Sequence, residues 1–261
     1  MCRLFGIMAN REVDIDFSFY KADKPFKSFS RSNPDGWGIG YYKNGKAEVF
    51  KEGLDDVEKY DFNKIEYIKS NIVISHVRKA AQYGGNSSKN AHPFKYKNWI
   101  FAHNGVVKRE RILECLDEEY KQELTSENDT EIYFRLLLQE INRSSNVING
   151  IKTGIKIVKE QVDYTGLNFV MSDGETLYAY RDASENKNYY SLYFLERKPQ
   201  KGKEFNFKSK ATNQLMHSKC LLGEKAVLFC SEKMTEEEWQ EIELGKLFIV
   251  DPKLEITKIK L

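Results

Sequence analysis

The chain is poor in proline, with five in 261 residues, and carries only 16 glycines. That composition excludes fibrous and low-complexity architectures. No stretch approaches the ~18 consecutive apolar residues of a membrane-spanning helix. No basic segment followed by an apolar one marks a secretory signal. A membrane is therefore not an expected partner, and a cytoplasmic location is. Cysteine is scarce: Cys2, Cys115, Cys220 and Cys230 are scattered, with no C-x-x-C pair. This removes the common zinc and thioredoxin-like patterns and points to free thiols in a reducing compartment. Charge of one sign is also lacking, since 41 Lys+Arg face 39 Asp+Glu for a net +2. Nothing in that balance calls for nucleic acid as a partner. A G-x-x-x-x-G-K phosphate loop is absent too, so an ATP site of that type is not expected.

What is present suits one large domain over residues 1–261. Hydrophobic residues make up 41% of it, enough for a sizeable core. The apolar run Cys2 to Ala9 reads as a buried strand. Asn44-Gly45 between Trp37–Tyr42 and Ala47–Lys51 predicts a hairpin, and Asp173-Gly174 between Leu167–Met171 and Thr176–Arg181 predicts another. Further strands are expected at Ile72–Val77, Trp99–His103, Tyr189–Leu195, Ala226–Cys230, Leu247–Val250 and Glu255–Lys260. Helices are expected at Lys108–Lys121, at Asp129–Ile141 with Ile132, Leu136 and Leu137 on one face, and at Gly150–Val162. Cys115 and Cys230 read as core residues. Strands early and late with helices between them predict an α+β fold with mainly antiparallel sheets. The basic segment Lys198 to Lys210 reads as a mobile surface loop rather than a nucleic-acid contact.

Several segments carry unusual chemistry. Removal of Met1 would leave Cys2 N-terminal, with an α-amine of pKa about 8 a few atoms from the thiol. Such an amine can serve the sulfur as its base. The turn Asn33-Pro-Asp-Gly-Trp-Gly38 leads into a strand. Ser75-His-Val-Arg78 ends another. Asn90-Ala-His-Pro-Phe94 and Ala102-His-Asn-Gly105 follow, and Ser126-Glu-Asn-Asp-Thr-Glu131 opens a helix. On spacing alone Asn104-Gly105 could be a type I′ turn, Arg78 a surface ion pair, and Asp129 a helix-start residue with Ser126 capping nearby.

In this order the segments MCRLFG, DGWG, SHVR, AHPF, AHNG and ENDTE, with the late CSEKMTEE…W stretch from Cys230 to Trp239, resemble the class II glutamine amidotransferases. These are N-terminal nucleophile hydrolases, and the likeness is to their standalone, single-domain bacterial branch. It spans nearly the whole chain. The resemblance implies a four-layer αββα sandwich of two antiparallel sheets. It implies Cys2 as the nucleophile on the γ-amide of glutamine, with Asn104 and Gly105 as the oxyanion hole. It implies Arg78 as the clamp on the substrate carboxylate and Asp129 as acceptor for its ammonium. His92 is expected near the carboxylate side and His103 beside the oxyanion turn. The thioester chemistry it implies needs neither metal nor organic cofactor. Two positions depart from the family pattern. Ser32-Asn33 stands where many relatives have Arg-Gly, and Lys79-Ala80-Ala81 lacks the hydroxyl many carry three residues after the clamp arginine.

The leading expectation is thus a glutaminase that releases glutamate and ammonia, passing ammonia to a separate synthase. A γ-glutamyl amidohydrolase for a larger metabolite would use the same head-group residues. A non-catalytic subunit that binds a metabolite or partner is a reading of another class. Zinc hydrolysis through Cys2, His76, His92 and His103 is possible by residue type, but the spacings match no standard ligand pattern.

Overall fold

The computed structural model describes residues 3–16, 36–53, 68–78, 85, 87–198, 204–208, 215–219, 225–233 and 237–261. The first half supplies β1 (Arg3–Asp16), β2 (Gly36–Lys43), β3 (Lys46–Gly53), β4 (Ile68–Arg78), β5 (Phe94–Tyr96) and β6 (Trp99–Asn104). The middle supplies α1 (Arg109–Glu114), α2 (Glu118–Gln122), α3 (Asp129–Ser144) and α4 (Val147–Gln161). Then follow β7 (Asn168–Ser172), β8 (Leu177–Arg181), β9 (Tyr193–Arg197), β10 (Glu204–Lys208) and β11 (Leu215–Lys219). The chain closes with β12 (Ala226–Cys230), β13 (Gln240–Glu241), β14 (Lys246–Val250) and β15 (Ile256–Lys260).

The strands form two sheets. One is nine-stranded and runs β13-β9-β12-β1-β4-β2-β3, with β11 joined to β1 and β10 to β11. The other is six-stranded, in the order β15-β14-β8-β7-β6-β5. Every pairing among the described residues is antiparallel. The β2–β3 hairpin turns at Asn44 (φ 52°) and Gly45 (φ 73°), the positive pair that a tight Asn-Gly turn demands.

Alternation along β1 explains how the sheets stack. Leu4 and Met8 face the other sheet and join Ile72, Ile74, Ile100, Ala102, Val170 and Phe229 in the central core. Phe5, Ile7 and Ala9 face outward with Trp37, Ile39, Val73 and Val77, and are also buried. A strand buried on both faces reads as one continuous apolar run, which is why Cys2–Ala9 is legible. The outer face of the six-stranded sheet packs Phe101, Phe169 and Tyr180 against α3 and α4. Phe101 and Phe134 stack with centroids 5.0 Å apart.

The molecule is therefore an α+β sandwich of two antiparallel sheets. Among the described residues α3 and α4 cover the six-stranded sheet, and no α-helix covers the nine-stranded one.

Several elements differ from expectation. The helix expected over Lys108–Lys121 is two short helices. Asp117 between them is extended (φ −69°, ψ 153°). Gln139 of α3 holds the break, accepting from Asp117 N at 2.8 Å and donating to Cys115 O at 3.1 Å. Cys115 is accordingly half-buried at the end of α1 rather than in the core, whereas Cys230 is buried. Helix α3 is buried all round from Asp129 to Ile141, not on one face. Strand β9 begins at Tyr193, because the carbonyl of Tyr190 is taken by Arg181 Nε and Asn168 Nδ2, each at 3.0 Å. The basic segment read as a loop contains β10, paired along its length with β11.

Candidate active site

The strand ends next to the expected site residues, and the described residues Asn104 and Gly105 among them, lie at one end of the sandwich. Arg3 of β1 pairs with Val77 of β4, and Gly36 of β2 pairs with Arg78. On the other sheet Asn104 ends β6 opposite Asn168, the first residue of β7. A chain of hydrogen bonds ties these ends together. Leu4 N donates to Ser231 Oγ at 3.0 Å, Ser191 Oγ donates to Ser231 O at 2.8 Å, and Asn168 Nδ2 donates to Ser191 O at 3.4 Å. The start of β1 is thereby anchored to the strands that carry Asn104. Cys2 lies outside the described residues, as does the side chain of Arg78.

Asn104 and Gly105 do not form a type I′ turn. Neither has a positive φ, and Asn104 remains in strand conformation. The Asn104 side chain is buried, and its Nδ2 has no hydrogen-bond partner among the described residues. A buried amide donor without an acceptor costs about 1–3 kcal/mol, so native structures rarely keep one without use. Here it is a buried neutral donor, suited to an oxygen that develops negative charge. Gly105 admits no side chain. A Cβ there would run into Gly166 O and stand 2.8 Å from His103 Nε2.

His103 braces this turn. Its Nε2 lies 3.0 Å from Gly166 O, and its Nδ1 lies 3.0 Å from Thr130 Oγ1. A carbonyl only accepts, so Nε2 carries the proton and Nδ1 accepts from the hydroxyl. Burial pushes the imidazole pKa down to about 4, with the Gly166 hydrogen bond opposing in part. Both ring nitrogens are engaged, which removes His103 from any zinc set built on the histidines.

Asp129 is the first residue of α3 and is buried. Its Oδ2 accepts from Val107 N at 2.8 Å, fixing the carboxylate beside the segment that follows Gly105. Ser126 does not cap α3. Asn128 does, accepting from Thr130 N at 2.9 Å through Oδ1. Ser126 Oγ instead donates to Glu131 Oε2 at 2.7 Å, and Glu131 also takes the Thr125 and Ser126 amides. Asn128 Nδ2 donates to Asn90 O at 2.8 Å, tying the helix start to the segment that carries His92.

The His92 ring stacks on His76 with centroids 4.2 Å apart, and both are buried. The backbone before Pro93 crosses the inward face of β2. At Gly38 a Cβ would collide with His92 O, so glycine in the D-G-W-G turn lets this segment lie against the sheet. Sequence reasoning gave no role to Asn128, Asn168 or Ser231, which tie to Asn90, Tyr190 and Leu4 far along the chain.

Comparison with known proteins agrees with this geometry. The family model described as "Glutamine amidotransferases class-II" matches residues 1–257. An uncharacterised protein of Methanocaldococcus jannaschii is 33% identical over 257 residues, covering 95% of this chain and 69% of that protein. A Haemophilus influenzae protein provisionally named a glutamine amidotransferase is 26% identical, covering 94% of this chain and 82% of its own length. Among solved structures, the glutamine phosphoribosylpyrophosphate amidotransferase of B. subtilis superposes with a TM-score of 0.59 at 17% identity. It covers 99% of this chain, which corresponds to 49% of that enzyme.

Proposed function

The chain belongs to the class II glutamine amidotransferases, and from that premise we propose that it hydrolyses the γ-amide of L-glutamine to glutamate and ammonia through a Cys2 thioester. The observation that carries the reading is Asn104, whose buried side-chain donor stands at the end of β6 with no partner among the described residues.

In the proposed reaction Met1 is removed and the freed α-amine takes the Cys2 thiol proton. The thiolate attacks the γ-carbonyl carbon. The resulting oxyanion receives hydrogen bonds from Asn104 Nδ2 and the Gly105 amide, where one such donor is worth about 3 kcal/mol. The amine then returns the proton to the departing ammonia. Water hydrolyses the thioester to glutamate. Asp129 takes the substrate ammonium, Arg78 its carboxylate, and His92 supports the carboxylate side. No group in this scheme requires a metal or organic cofactor. The ammonia passes to a separate synthase, and the reaction is cytoplasmic.

The test is glutamate release from L-glutamine by protein whose mass shows Met1 removed, beside Cys2→Ala. Release that vanishes in the variant supports the reading. Activity on larger γ-glutamyl compounds without activity on glutamine would overturn the substrate assignment.

A further inference from the structure

Lys51 lies on β3, outside the sequence motifs that point to the reaction but paired with Gly38 of one of them. Its side chain is half-buried, the ammonium donating to Lys89 O at 3.1 Å and Ala91 O at 3.0 Å and lying 4.4 Å over the Phe94 ring. Burial pushes its pKa down to about 8, against the opposing pull of Glu131. A half-buried cation is partly desolvated and needs acceptors, and here they are a pair of backbone carbonyls in one 3-10 turn, Ser88–Asn90 with its cap Ala91.

The carbonyl between those two belongs to Asn90, and it accepts from Asn128 Nδ2 at 2.8 Å. Three successive carbonyls of the turn are therefore held from opposite sides. Lys51 holds the first and third from the nine-stranded sheet. Asn128, the cap of α3, holds the middle one. The next residue in one direction along the chain is His92, and the residue after Asn128 is Asp129. The turn thus joins the sheet to the substrate-binding end of α3.

We propose that Lys51 is a positioning residue for substrate recognition: by clamping the 89–91 turn it sets where Asn128 presents Asp129, and where His92 sits, for the amino acid head group. This rests on the glutamine-hydrolysing reading above. A misplacement of about 1 Å in such a support can cost up to ~100-fold in activity.

The test compares wild type, Lys51→Met, Lys51→Arg and Asn128→Asp, all with Met1 removed. Methionine keeps the apolar stem against Phe94 without the charge. Aspartate keeps a good helix cap but replaces the donor to Asn90 O by an anionic acceptor, which cannot hold that carbonyl. Steady-state kinetics on L-glutamine and inhibition by L-glutamate report head-group binding. Alkylation of Cys2 by iodoacetamide, which has no head group, reports the nucleophile. The proposal expects Lys51→Met to raise KM and the glutamate inhibition constant about tenfold, with kcat and the alkylation rate near wild type. Lys51→Arg should recover most of the loss, and Asn128→Asp should reproduce it. Unchanged KM in Lys51→Met, or a fall in kcat and alkylation together with no recovery by arginine, overturns it. Should Lys51→Met not fold, wild-type KM in Asn128→Asp overturns it alone. A wild type that releases no glutamate brings down the functional reading, whereas an active wild type with unaffected variants brings down this inference only.

Discussion

Acidifying the protein from pH 7 to pH 5 should cost it about 2 kcal/mol of stability through His103 alone. The side chain is fully buried, and its pKa in the folded state is held down to about 4. In the unfolded chain it returns to about 6.5. Between these values the unfolded state binds the proton and the folded state does not, so stability falls as pH falls. The contribution is fully present above about pH 6.5 and is lost progressively towards pH 4. Physically, protonation of Nδ1 would place a charge in a fully buried site where, among the described residues, the ring nitrogens meet only the Thr130 hydroxyl and the Gly166 carbonyl at hydrogen-bond distance. The assay is urea unfolding at fixed ionic strength between pH 5 and pH 7, for wild type and His103→Gln. Glutamine can still donate towards Gly166 O but does not titrate. Other titrating groups are common to both proteins and cancel in the difference. Wild type should lose about 2 kcal/mol more than the variant across this interval. Equal losses would refute the neutral, buried assignment of His103.

Asn104→Ala should lower kcat for glutamine by about 10²–10³-fold with little change in KM, because the donor is used only by the oxyanion. Gly105→Ala should lose both activity and stability, the latter by about 1–3 kcal/mol, since the new Cβ meets Gly166 O and His103; thermal unfolding and glutamate release check it together. Asp129→Asn keeps an acceptor for Val107 N but removes the charge, so KM should rise about tenfold with the fold intact by circular dichroism.

Features set by local chemistry were readable from sequence. The Asn44-Gly45 hairpin needs only its own turn residues, and β1 and β12 announce themselves as apolar runs. Features set by distant partners were not. The break between α1 and α2 is fixed by Gln139, and the late start of β9 by Arg181 and Asn168. Strand β10 alternates Glu204, Phe205, Asn206, Phe207, Lys208 within a lysine-rich stretch, and only pairing with β11 makes it a strand. The α3 cap moved from Ser126 to Asn128 because Glu131 claims the Ser126 hydroxyl. The same division holds for the site. Asn104, Gly105, Asp129 and His92 sit in motifs, so resemblance named them. Lys51 gave no signal, since its role depends on carbonyls of Lys89 and Ala91 that folding brings to it.

The central claim is that Cys2 is the nucleophile of a site that reads a free glutamyl head group. Its most direct test is intact-mass and peptide mapping after treatment with a diazoketone analogue of L-glutamine, on protein shown to lack Met1. The account predicts one adduct, on Cys2, that L-glutamine suppresses. Unlabelled Cys2, or labelling at Cys115 or Cys230 that glutamine does not suppress, would contradict it.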